Sequence, residues 1–478
     1  MDAIQKINHL WWRAAFGPTP QLWQGTNPKF APDKFTDALL KASKGLPVPL
    51  QVAQNAVDGL GNGLSELGRM QPQNTQAEAD RRKQQQQKNR QEIRSLNLKW
   101  LSEMINSPAQ LREKMAFFWH GHFACRNINS FYQQQLLNAI RDNALADFGT
   151  LLRAVSKTPA MLQFLNNQQN RKNSPNENFA REVMELFTLG RGNYTEQDVK
   201  EAARAFTGWG FNLKGDFVWR PALHDGGSKT ILGKSGNFTG DEVLDLLLEK
   251  RQTARFITQK IYRFFVNDTP NADRIEALSK KFYEGGYQIA DLMRDILNAA
   301  WFYEPANVGN RIKSPVELLA GLCRQLPMEV ENENTLLLVQ QALGQVLLYP
   351  PNVAGWPGGR SWIDSSSLLL RMRLPQLAAG GDEFEIALKS DDDAEMGMGR
   401  RGAGNMNRYT LKTQIDWKAA LEPFAKIPDE KLHPALAAWV LQTPNLPTAA
   451  LINQLTDPRH PREGRLIALM SLPEYQLC

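Results

Sequence analysis

Three histidines stand where residue type and spacing could do chemistry. His120 and His122 flank Gly121 in the block LREKMAFFWHGHF, and His224 precedes Asp225-Gly226-Gly227. Imidazole is the commonest metal ligand and the usual acid–base group near neutral pH. A helix opened at Pro108 is expected to stop at Gly121, which would put both imidazoles at a helix-to-loop junction where they could converge. The block is too aromatic to leave them fully exposed, and a buried imidazole needs a hydrogen-bond partner or a metal. The plainer alternative has His120 interacting with the dipole of the last helical turn and His122 simply packed.

The segment NENFAREVMELFTLG adds carboxylates. Phe179, Val183, Leu186 and Phe187 recur at helical spacing, so Glu182 and Glu185 fall one turn apart on the opposite side, about 5–6 Å between Cβ atoms. A solvated face with an Arg181–Glu185 ion pair is the default, worth a few tenths of a kcal/mol. The sharper reading joins these carboxylates to the histidines in a centre for a divalent ion such as zinc, manganese or iron, with His120, His122 and Glu182 as metal ligands. Glu182, Glu185 and His224 would then carry the catalytic acid–base chemistry. Arg181 and Lys229 would hold anionic substrate groups, and Trp356 would wall the pocket. An unmetallated polar network is the rival. A glycosidase pair fits poorly, because its two carboxylates must flank the scissile bond from different sides. Asp225 before two glycines is a turn former, Lys229 reads equally as a surface lysine, and Trp356 in PPNVAGWPGGRSW reads equally as a buried anchor.

The elements that must position these groups are helices. Ser or Thr followed by Pro and then Glu or Gln satisfies the orphan amides of a first turn, and this pattern recurs at Ser107-Pro108, Thr158-Pro159, Ser174-Pro175 and Ser314-Pro315. Thr195 with Asp198 and Thr239 with Glu242 are further capping boxes. The latter precedes VLDLLLEKRQTARFITQKIYRFFV, a continuous apolar-periodic stretch. Strand signal is confined to one short hairpin over 217–233. The expected fold is all-α, with a main helical domain over 1–376, a flexible Gly/Asp/Met-rich loop over 377–410, and a C-terminal helical unit over 411–478 packing on the main domain. The Gln/Lys/Arg-rich run from Gln71 to Arg94 is an exposed helix or a flexible excursion.

Composition narrows the functional classes. The 478 residues are 42% hydrophobic, enough for one large core or two closely packed ones. The formal charge of +6 comes from 56 basic and 50 acidic residues that are interspersed, so no nucleic-acid footprint is indicated. Cys125, Cys323 and Cys478 lack the spacing of a zinc ribbon or redox motif. No apolar run reaches the roughly 20 residues of a membrane span. The first residues lack the pattern of a secretory signal, so the chain as written reads as cytoplasmic.

Seven blocks in order give a resemblance spanning nearly the whole chain: HLWWRAAFGPTP, LREKMAFFWHGHF, NENFAREVMELFTLGRGNYTEQDVKEAARAFTGW, HDGGSKTILG, KSPVELL, PPNVAGWPGGRSW and SLPEYQ. The chain resembles the bacterial domain-of-unknown-function 1800 family, which has no settled activity. The resemblance implies export in many members and a phosphatase-like partner of the domain-of-unknown-function 1501 family. Phe187 departs from the family pattern, which commonly has His there, and a site using that His would lack one group here. Two functions are expected from these readings: an enzyme with a His/Glu polar or divalent-metal centre acting on a cell-envelope or polymeric substrate, and a non-catalytic helical assembly protein working with the phosphatase-like partner.

Overall fold

The structure, a computed structural model, describes residues 3–24, 31–55, 76–380, 383–386, 407–443, 448–456 and 459–478. It is predominantly α-helical, and the capping residues do what their types dictate. Thr195 with Asp198 and Ser314 with Glu317 close as reciprocal boxes, and Thr158 accepts from the Met161 amide. The stretch after Thr239, periodic enough to read as one helix, is two: Gly240–Leu248 and Arg251–Phe265. At the break the Thr253 hydroxyl donates to the Leu247 carbonyl at 2.6 Å, and the Tyr287 hydroxyl takes Leu248 O at 2.7 Å. Carbonyls that a continuous helix would use internally are thus taken by side chains.

The Gln-rich run belongs to the helix Gln76–Asn106. Its first half faces solvent, while Ile93, Leu96, Trp100, Leu101 and Met104 in its second half are buried. The single hairpin expected over 217–233 is two ribbons. Trp209–Phe211 pairs with Phe217–Trp219, and Lys229–Ile231 pairs with Lys234–Gly236. Asp225-Gly226-Gly227 is not their turn. Leu232 and Gly233 turn the second ribbon, at φ +51° and +83°, the left-handed pair that suits a tight two-residue hairpin.

Met328–Val330 pairs with Thr413–Ile415, and Glu383–Ile386 with Asn407–Thr410. The helix Ser365–Gly380 therefore runs into the stretch expected as a loop from residue 377, and its Leu377 and Ala378 are buried. Residues 387–406 of that stretch lie outside the described residues. One apolar core runs from Leu10 to Cys478. The last residues are laced into it: Cys478 N–H donates to Arg311 O and Lys313 N–H to Gln476 O, each at 2.8 Å. Asn8 near the other end donates to Trp439 O at 2.8 Å. No described helix is long and apolar enough to cross a membrane.

Candidate functional site

The helix Gln110–His122 does not stop at Gly121. It continues through His122, and Phe123 N–H closes the last turn on Trp119 O at 2.8 Å. Residues two apart on an α-helix point about 200° from one another, so the two imidazoles diverge. His120 turns into the core, where its ring lies 5.1 Å from Trp100 and 5.4 Å from Trp356. Its Nε2 accepts the Leu348 amide at 3.1 Å, and burial pushes its pKa down to about 3. His122 points the other way. Its Nε2 meets the Phe187 carbonyl at 3.2 Å, and its Nδ1 meets the Lys260 ammonium at 3.0 Å. A carbonyl can only accept and an ammonium only donate, so the ring is the neutral Nε2–H tautomer. Burial, and then the charge of Lys260, holds its pKa well below the usual range.

The carbonyl that His122 uses lies in an irregular turn of the next segment. The helix expected from Pro175 starts at Asn178, because Asn176 Oδ1 takes the Asn178 amide and Asn170 Oδ1 takes that of Asn176. From Val183 to Thr188 it widens into a π-helical turn, and Gly190 ends it at φ +81°. Leu186 O accepts from Lys260 Nζ at 3.3 Å, beside the Phe187–His122 contact. Such turns occur often at functional sites. Lys260 itself, from the helix Arg251–Phe265, is half-buried, and desolvation pushes its pKa down to about 8.

The remaining expected residues go elsewhere. Arg181 pairs with Glu196 at 2.6 Å and Glu177 at 3.2 Å rather than with Glu185. Glu185 instead accepts from the Tyr194 hydroxyl at 2.5 Å and from Arg191 at 2.6 Å, which lowers its pKa. Glu182 is half-buried, and desolvation, helped by the Glu185 charge, raises its pKa. His224 meets the Thr207 carbonyl through Nδ1 at 3.0 Å and lies 5.7 Å from the Trp219 ring. Asp225 is held by Arg204 at 2.7 Å. Lys229 is buried with its ammonium on Asp225 O, Gly227 O and Asn237 Oδ1, so its three donors are used in fixing the turn. Among the described residues no group of three or more His, Cys, Asp or Glu side chains is arranged to hold a metal ion. His120, His122 and Glu182 are thus not gathered around one point, for the 200° reason above.

A cavity of about 650 Å³ opens between the helices Gln110–His122 and Arg251–Phe265 and the loop after Pro350. Phe117, Phe118, Phe264, Trp356 and Trp362 wall it, and His122 and Lys260 reach its edge. Arg263, Arg311 and Arg360 complete the lining with a single carboxylate, Asp268. Arg311 is 8% exposed, and its guanidinium lies 4.8 Å from the Phe264 ring centre. Its nearest acid is Glu317 at 3.6 Å, and its buried Nη1 has no hydrogen-bond partner among the described residues. The loop is pressed onto the H-x-H turn: a Cβ on Gly355, which sits at φ +82°, would collide with Gly121 O.

Of the expected residues, this cavity brings together His122 and Trp356. Lys260, Arg263, Arg311 and Arg360 were not singled out from the sequence. The i, i+3, i+4 spacing of Lys260, Arg263 and Phe264 was a usable signal, since it puts two cations and an aromatic ring on one helix face. Arg311 carries no local signal at all.

A family model described as Protein of unknown function (DUF1800) matches residues 9–477. The chain belongs to that family. No curated protein and no solved structure matches it. The cavity of this DUF1800 chain draws on residues from 117 to 362, all inside the matched range.

Proposed function

We propose that the chain is an enzyme that anchors an anionic substrate group in the cavity and moves a proton with Lys260, held in place by His122. The observation that carries this reading is Arg311. A buried guanidinium whose nearest acid is 3.6 Å away, lining a cavity with three more cations and one carboxylate, is a costly arrangement unless an anion completes it. The proton-transfer part rests on Lys260. An ammonium whose pKa is near 8 can give and regain a proton around neutral pH. Neutral His122 directs it, with Nδ1 accepting from Nζ while Nε2–H is fixed on Phe187 O. The five aromatic walls suit an uncharged ring or chain attached to the anionic group, and Trp356, half-buried like Phe264, is available for stacking.

Equilibrium binding of benzoate and phenyl phosphate tests the anchoring. At least one should bind, and Arg360→Gln and Lys260→Gln should each weaken that binding about 10-fold or more. Absence of binding by both, or binding indifferent to both substitutions, would overturn the reading. Arg191→Gln, in the Glu185 ion pair, serves as a charge-matched control that leaves binding unchanged.

A further inference from the structure

The cations lining the cavity are backed by a second layer that the anchoring of one negative charge does not require. Behind Arg311 lie Arg13, Lys114, Lys313 and Arg371, each no more than 1% exposed. Glu317 is the buried carboxylate among them, with Lys114 at 2.7 Å and Arg311 at 3.6 Å. Its charge also acts on Arg13, Lys313 and Arg371; on Arg13 and Lys313 the opposing charge of Cys478 weighs more than that of Glu317, and Asp268 adds to it on Arg13 and Arg311. Much of the rest of the compensation comes from neutral groups. Lys313 Nζ donates to Tyr475 O at 2.7 Å and lies 3.5 Å from the Trp12 ring centre, and Arg13 donates to Asn307 O at 2.9 Å. Arg13 Nε and Nη1 and Arg371 Nη1 are buried without partners among the described residues, as is Arg311 Nη1.

The two layers communicate through Phe264. Its ring, on the cavity wall, lies 5.9 Å from Lys114 Nζ and 4.8 Å from the Arg311 guanidinium. Burial pulls the Lys313 pKa well below the lysine range, so the fixed charge of this layer rests on Arg13, Lys114 and Arg371; behind a low-dielectric aromatic wall it is weakly screened, and its field reaches into the cavity. A monoanion paired with Arg311 would leave unopposed the part of that field that Glu317, Cys478 and Asp268 do not offset.

We infer that the occupant is a dianion, an organic phosphate monoester whose phosphoryl group faces Arg311, Arg360 and Lys260 and whose uncharged body lies against Trp356 and Phe118. A phosphate monoester has a second ionisation near pH 6 and three strong acceptor oxygens, so at neutral pH it offers both the charge and the acceptors that these donors want. A cavity of about 650 Å³ has room for more than the phosphoryl group, which argues for an ester over the free ion. This inference rests on the anion-anchoring reading above and goes further by fixing charge and chemical class.

Three probes with the same ring separate the possibilities. Phenyl phosphate is a dianion at pH 7.5, phenyl sulfate a tetrahedral monoanion, and benzoate a planar monoanion. By isothermal titration at constant ionic strength, phenyl phosphate should bind at least about 10-fold more tightly than either of the others. That advantage should shrink as pH falls through about 6, where the phosphate takes up its second proton. Arg360→Gln should reduce the phosphate advantage more than it reduces benzoate binding. If all three bind alike, or benzoate binds best, the dianion inference fails while the anion-anchoring reading stands. If none binds, both fail.

Discussion

His120 holds Leu348 by its backbone: the Leu348 amide donates to His120 Nε2 at 3.1 Å, and Leu348 sits at φ +72°. A branched side chain in the left-handed region is strained by about 1–3 kcal/mol and persists only where its surroundings over-determine it. The imidazole that looked like a metal ligand therefore has a definite task, which is to fix the entrance to the loop carrying Trp356 and Arg360.

Replacing His120 should show this. His120→Ala leaves the Leu348 amide buried and unpaired, and is expected to lower stability by about 1–3 kcal/mol in denaturant titration, beyond any loss from the cavity created. Leu348→Gly relieves the left-handed strain, so the loss caused by His120→Ala should be smaller in the Leu348→Gly background. Equal losses in the two backgrounds would show that the contact does not hold the loop.

The same imidazole makes stability pH-dependent. The unfolded chain binds a proton at His120 near pH 6.5, while the folded chain resists it down to about pH 3. Between those values the unfolded state holds more protons, so stability falls as pH falls from 6.5 towards 3, by up to roughly 1.4 kcal/mol per unit from this group. His122, also held well below the ordinary value by burial and the Lys260 charge, adds to the slope below pH 6.5. Stability profiles of the parent and of His120→Gln should diverge there, and parallel profiles would remove His120 as a cause.

Lys260 should set the upper pH limit of anion binding. Its ammonium is charged below about pH 8, so affinity for benzoate or phenyl phosphate should decline as pH rises through 8. In Lys260→Met that decline should vanish and leave weaker binding that is flat over pH 7–9. An unchanged decline in the variant would assign the titration to another group.

Removing the Glu317 carboxylate from the cation cluster should be severe. Glu317→Gln leaves Lys114 and Arg311 without their carboxylate, and breaking a buried pair from one side typically costs about 3–5 kcal/mol. Lys114→Met in the same chain should recover part of that loss, which a thermal melt can register. A fully additive double variant would mean that Lys114 and Glu317 are not coupled.

Much of the scaffold was legible because its signals are local. Ser314-Pro315-Glu317 and Thr195-Glu196-Gln197-Asp198 contain within a few residues everything needed to start a helix. The site was less legible because it turns on where a helix ends. Whether the chain leaves the helix before or after Gly121 decides whether His120 and His122 converge or diverge, and glycine permits both. The π-helical turn at Val183–Thr188 has no sequence signature that propensities supply, yet it redirects carbonyls to His122 and Lys260. Arg311 and Arg360 reach Lys260 only through tertiary packing, across separations that no periodicity records.

The π-helical turn also makes this site sensitive to chain length in a way that substitutions do not probe. A π turn accommodates one residue more than the α-helix it interrupts, so deleting a single residue within Val183–Thr188 would let the helix relax to regular winding. The segments on either side would keep their phase, because the wide turn is what absorbs the extra residue. Inside the turn, the carbonyls of Leu186 and Phe187 would be drawn towards i→i−4 directions along the helix and away from Lys260 and His122. A one-residue deletion, conservative in composition and silent in charge, would thereby unseat the proton-handling pair while every side chain that forms it remains in the chain.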